Sequence, residues 1–113
     1  MTSDPESFLP LPAAAFHILL ALAGEDRHGY AIILDVVERT GGALRLSPGT
    51  LYRSIQRMLE QGLLTEPRQR PAPELDDERR RYYRITPAGR KQLLEEKRSF
   101  DFLLAGIARV MES

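Results

Sequence analysis

Thr50, Arg53, Gln56 and Arg57 lie within eight residues of one another in the segment LSPGTLYRSIQRMLEQGLL, which runs from Leu46 to Leu64. At about 100° per residue they share one arc of a helix with Glu60, and Leu51, Ile55, Met58 and Leu59 fall on another. An Arg guanidinium is a fork of donors that matches O6 and N7 of guanine or two phosphate oxygens. A Gln amide matches the edge of adenine, and hydroxyls such as those of Ser47, Thr50 and Tyr52 reach phosphate. The chemistry is donation to an anionic, acceptor-rich surface, as in the major groove of DNA. The same arc would equally serve as the solvated face of an ordinary surface helix, and this segment alone does not separate the two.

Local signals position the arc. Ser47 is a good N-cap, Pro48 suits the first helical position, and Gly62 is a natural stop. A second cationic group follows in RRRYYRIT, residues 79–86 of the sequence. Alternation puts Arg81, Tyr83 and Ile85 on one side of a strand, and Arg80, Tyr82 and Arg84 on the other. Arg80 and Arg84 are therefore candidate contacts, because arginine favours narrow, negative minor grooves. Asp76, Asp77 and Glu78 stand beside them and would otherwise neutralise them as part of a soluble loop.

Other chemistries find little support. The chain has two His, His17 and His28, and no Cys, which excludes a disulfide framework and Cys-based metal centres. Its Ser residues read as caps or termini, and no Gly-rich phosphate loop is present. The convergent nucleophile, base and orienting group of an enzyme are missing, so neither catalysis nor a cofactor is expected.

At 113 residues the chain fits one domain, or one domain with an appended helix. Sixteen Lys and Arg balance sixteen Asp and Glu. This zero net charge excludes a bulk polycation, so affinity for DNA must come from charge gathered on one face. The arginines do concentrate in the middle of the sequence. The N-terminal MTSDPESF is acidic and unlike a secretory signal. The most apolar stretch, from Leu11 to Ala23, is too short to span a bilayer. These features predict a cytoplasmic protein that does not enter the membrane.

The coarse pattern predicts an arm over 1–9 and a helix from Leu11 to Leu22 with Phe16, Leu19, Leu20 and Ala23 in the core. A turn at EDRHG and a helix from Tyr30 to Arg39 follow, the helix striped by Ile32, Ile33, Val36 and Val37. Leu44 and Leu46 suggest a very short strand. After the third helix, Leu63 to Glu66 and the RRRYYRIT strand make a hairpin around a Pro-rich loop. Tyr30 and Tyr83 are expected in the core, and His28 at a turn or cap. Thr86 and Pro87 open a last helix, polar from Gly89 to Ser99 and then apolar at Phe100, Leu103, Leu104, Ile107, Val110 and Met111. The order is that of a winged helix-turn-helix: mainly α with a small β-hairpin, spanning 10–86, with a long C-terminal helix over 87–113. A helix of about 25 residues is roughly 40 Å long. Its apolar stripe is most simply covered by a symmetry mate, which predicts a homodimer.

Four motifs resemble the PadR family of bacterial transcriptional regulators. They are His28-Gly29-Tyr30, the run from Ser47 to Tyr52 (SPGTLY), Gly62-Leu63, and the run from Tyr82 to Gly89 (YYRITPAG). Together they cover about residues 10–94. The single C-terminal helix is similar to that of the family's compact members, which dimerise through it. The resemblance implies a homodimeric repressor on a palindromic double-stranded operator, with the third helix in the major groove and the hairpin as a wing. Some compact members bind flat aromatic or cationic compounds between subunits, stacked on a Trp. This chain has no Trp, and Phe100 stands at the corresponding place. The resemblance thus makes Phe100, Leu103, Leu104, Ile107 and Met111 candidates for a combined dimer and effector surface. The alternative is a winged-helix interaction module that pairs through its helix without binding DNA.

Overall fold

The computed structural model describes residues 11–67 and 81–112. Their elements are α1 (Ala13–Gly24), β1 (Arg27–His28), α2 (Gly29–Arg39), α3 (Pro48–Glu60), β2 (Leu64–Thr65), β3 (Tyr82–Ile85) and α4 (Pro87–Glu112). The expected arm over 1–9, Arg80 and nearly all of the Pro-rich loop lie outside the described residues. No helix among the described residues is long and apolar enough to cross a membrane.

The sheet has three antiparallel strands in the order β1-β3-β2. Leu64 pairs with Ile85 and Thr65 with Arg84 on one side of β3. Arg27 pairs with Tyr83 and His28 with Tyr82 on the other. This corrects two expectations. The EDRHG segment is not only a turn, because it supplies the strand that covers the second edge of β3. Leu44 to Leu46 form no strand, although Leu46 is buried. The Thr40 hydroxyl takes the N–H of Leu44 at 3.1 Å, and Gly41 and Gly42 turn the chain with positive φ of 63° and 86°. The backbone donor that a strand would use is already occupied.

Helix α1 packs against α2, α3, β3 and α4. Its buried residues are Ala15, Ile18, Leu19, Ala21 and Leu22. They join Ile32, Val36, Leu51, Ile55, Met58, Leu63, Leu64, Tyr83 and Ile85 in one core. Of the expected α1 stripe only Leu19 is fully buried; Phe16, Leu20 and Ala23 are half-buried. A helix apolar around most of its circumference does not indicate which side is inner. Phe16 instead meets Phe100 of α4 edge-on, with ring centroids 5.6 Å apart.

Helix α1 has no side-chain cap of its own, since Pro12 occupies the N-cap position. Remote residues supply what is missing. Glu96 accepts the N–H of Leu11 at 3.2 Å just ahead of the helix. Arg27 donates to the carbonyl of Ala21 at 2.8 Å and Arg90 to that of Ala23 at 3.0 Å. The carboxylate stands at the positive end of the helix dipole and the guanidinium groups at the negative end.

Helix α4 is anchored at its start. Thr86 Oγ1 accepts the N–H of Gly89 at 3.0 Å and donates to the carbonyl of Gly62 at 2.6 Å. Gly89 lies so close to the Leu63 carbonyl that a Cβ would not fit. Although its first half reads as polar, Gln92 and Glu96 are buried. The second half is the reverse: Leu103, Leu104, Ile107, Val110 and Met111 are all more than half exposed.

Candidate nucleic-acid interface

Ser47 caps α3 by accepting the N–H of Thr50 at 3.2 Å, and its hydroxyl also donates to Thr50 Oγ1 at 3.1 Å. Pro48 opens the helix. Leu51, Ile55 and Met58 are buried, so the opposite side of α3 must face outward. Tyr52, Arg53, Gln56, Arg57 and Glu60 are exposed there, and Thr50 is half-buried at the edge. Arg53 and Arg57 stand one turn apart, and neither guanidinium has a carboxylate partner among the described residues. Gln56 differs, because its amide N–H donates to Glu60 Oε1 at 3.3 Å. That leaves its carbonyl oxygen and its second N–H for a ligand.

Tyr52 does two things. Half of it is exposed, and its hydroxyl lies where a Cβ on Gly29 would be. Glycine at the start of α2 therefore lets α3 pack closely against it. His28 caps α2 by accepting the N–H of Ala31 on Nδ1 at 3.2 Å, and its ring meets Tyr82 edge-on with centroids 5.5 Å apart. Tyr30 is 64% exposed beside this cap rather than in the core as expected. The α2 stripe passes through Ile32 and Val36, and Tyr30 falls off it. Tyr83 is buried as expected.

Strand β2 packs against α3 and pairs with β3. Arg84 is exposed, but Asp26 holds its guanidinium through bonds of 3.1 Å from Nε and 2.8 Å from a terminal nitrogen. These bonds, then the charge of Asp26, raise the Arg84 pKa further above its already high ordinary value. A phosphate would have to compete with that carboxylate. Arg81 reaches Glu66 at 4.0 Å. Burial raises the Tyr83 phenol pKa, Glu66 and Tyr52 push the same way, and Arg81, which bonds to it, counters in part. Sequence reasoning had no signal for Asp26, which lies 58 positions from Arg84.

The predicted α3 residues Ser47, Thr50, Tyr52, Arg53, Gln56 and Arg57 thus lie on one helix, with Arg84 on the neighbouring sheet and Arg80 outside the described residues. Phe100, Leu103, Leu104, Ile107 and Met111 lie on α4. Among the described residues no group of three His, Cys, Asp or Glu side chains could hold a metal ion.

The profile of the transcriptional regulator PadR-like family matches residues 18–95. The chain belongs to that family. A PadR-like chain is a transcriptional regulator and not an enzyme. Transcriptional regulator Rv3488 of Mycobacterium tuberculosis is 38% identical over 91 residues, covering 80% of this chain and 78% of that protein. Among solved structures, a PadR family transcription regulator from Clostridium difficile R20291 superposes with a TM-score of 0.71 at 26% identity, covering 88% of this chain and 99% of the other. A transcriptional regulator from Clostridium thermocellum gives a TM-score of 0.68 at 25% identity, covering 86% and 90%. The winged helix is therefore the PadR fold.

Proposed function

We propose that this PadR-like regulator is a homodimeric repressor that binds a palindromic operator and is released by a small aromatic effector. The pairing of exposed Arg53 and Arg57 on the outer side of α3, with no carboxylate partner among the described residues, supports this reading most strongly. A structural helix with that much charge would gain by pairing it internally, as Arg39 does with Asp35. In this reading Arg53 and Arg57 contact guanine edges or phosphate, and Gln56 offers its carbonyl to a base amino group. Ser47, Thr50 and Tyr52 bind the backbone, while Arg80 and Arg84 approach from the wing. A regulator acts where the chromosome is, which places it in the cytoplasm.

The second half of α4 is the dimer surface. Two recognition helices must lie about 34 Å apart to enter successive major grooves. The effector would enter the apolar groove of about 400 Å³ between α1 and α4, lined by Phe16, Leu20, Leu93, Leu94 and Phe100. It would act by favouring a crossing of the tail helices that misplaces one recognition helix. Fluorescence anisotropy with DNA from the protein's own promoter tests the core of the proposal. Binding should prefer the palindrome and weaken steeply with salt as counterions are released. Absence of both leaves the interaction-module alternative.

A further inference from the structure

Arg53 and Arg57 do not stand on a flat surface. Both line a cavity of about 490 Å³ between α3 and the residues that lead into and open α1. Thr50 and Ser54 line it from the α3 side, and Leu11, Pro12 and Ala14 from the α1 side. Thr50 Oγ1 already accepts from the Ser47 hydroxyl at 3.1 Å, so its own O–H is left to donate. Arg53 bends back along its helix, and its Nη1 comes within 3.7 Å of where a Cβ on Gly49 would be. Two guanidinium groups with no carboxylate partner among the described residues thus share one cavity with a hydrocarbon wall. The groove between α1 and α4 differs, because its cation Lys97 is held by Asp101 at 2.7 Å.

We infer that this cavity binds an organic acid, a carboxylate joined to a hydrocarbon body. The head sits on Arg53, Arg57 and the Thr50 hydroxyl, and the body lies against Leu11, Pro12 and Ala14. Guanidinium forks match the two oxygens of a carboxylate. A phosphodiester is charged and hydrated and gains nothing from a hydrocarbon wall, whereas an apolar body gains by leaving water there. The inference rests on the reading of Arg53 and Arg57 as DNA contacts and adds a ligand that takes both away from the DNA. Such a ligand excludes DNA by occupying the same guanidinium groups. It needs no change in the crossing of the tail helices, and its site is separate from the effector groove between α1 and α4.

Octanoate is the probe, titrated at fixed ionic strength into the full chain bound to fluorescent promoter DNA. The apparent Kd for DNA should climb without levelling off, by about tenfold at about ten times the octanoate Kd. A ligand acting from a separate site would level off at its coupling factor, so a plateau overturns the inference. Acetate carries the head without the body and octanol the body without the head, and neither should compete at the same concentration. Inorganic phosphate that competes as well as octanoate would make the cavity a plain anion seat and overturn the ligand class. Calorimetry of octanoate with the DNA-free chain gives a second readout. Ala14→Leu thickens the hydrocarbon wall and should weaken octanoate at least about tenfold in a variant whose circular dichroism matches the wild type. Unchanged octanoate affinity in that variant, or in Arg53→Ala, places the ligand elsewhere. DNA that binds with salt dependence and promoter preference while octanoate does not bind removes the cavity alone. Octanoate that binds through Arg53 to a chain with no such affinity for DNA removes the DNA reading and leaves the cavity.

Discussion

Glu96 accepts the backbone N–H of Leu11 at 3.2 Å across 85 positions of sequence. One carboxylate from the tail helix therefore completes the start of the central helix, which has no cap of its own. Arg90, also on α4, closes the other end of α1 at Ala23. The tail helix is thereby tied to the body at two points that a shift of α4 along its axis would break together. Glu96→Ala leaves a partly buried donor without an acceptor and should destabilise the fold by about 1 kcal/mol. Urea unfolding followed by circular dichroism measures this, and an unchanged midpoint would remove the joint from the account.

Arg84 and Asp26 carry a second prediction. Asp26→Asn removes the charge that holds Arg84 and frees its guanidinium for phosphate. Affinity should rise on any DNA sequence, and the slope of log K against log salt should steepen by about 0.9, the value for one further phosphate contact. An unchanged slope would mean that the wing arginine stays away from the backbone.

Arg53→Ala and Arg57→Ala should separate base reading from phosphate contact. A residue that reads a base should cost about 1–3 kcal/mol on the operator and little on random DNA. Equal loss on both sequences assigns that residue to phosphate. Anisotropy titrations at one fixed salt concentration decide between them.

Tyr83 predicts how stability responds to alkali. Its phenol titrates above the ordinary value of 10.0 in the folded chain, first because it is buried. The folded state thus keeps the proton after the unfolded chain has begun to lose it. This contribution is complete below about pH 10 and is lost as pH rises through the raised folded value. Tyr83→Phe should flatten the alkaline fall in urea midpoint between about pH 9 and about pH 11. A variant that falls as steeply as the wild type would assign that limb to other groups.

Gly89→Ala would drive a Cβ into the Leu63 carbonyl and the Ile85 side chain. The backbone cannot yield as a flexible side chain would, so the variant should lose about 1–3 kcal/mol. Thermal unfolding measures it, and a rise in Tm would contradict the close approach of α4 to the sheet.

Much of α3 was legible because its determinants are local. Ser47, Pro48 and the spacing of Leu51, Ile55 and Met58 act within a few residues, and they define both the helix and its outward side. The strand around Tyr83 and the cap at Thr86 were readable for the same reason. The placement of α1 was not, because an almost wholly apolar helix has no preferred side until α4 docks on it. Nor was β1, since two residues carry no period and form a strand only because β3 offers an unpaired edge.

The sequence by itself determined the four helices, the two wing strands, the family and the row of donors on α3, because helix periodicity and capping depend on neighbours in the chain. Only the tertiary structure decided that Glu96 is buried, that Asp26 occupies Arg84 and that Tyr30 is exposed. Each of these depends on which distant surfaces meet, and the free energy of a buried or paired charge is set by that meeting rather than by residue type.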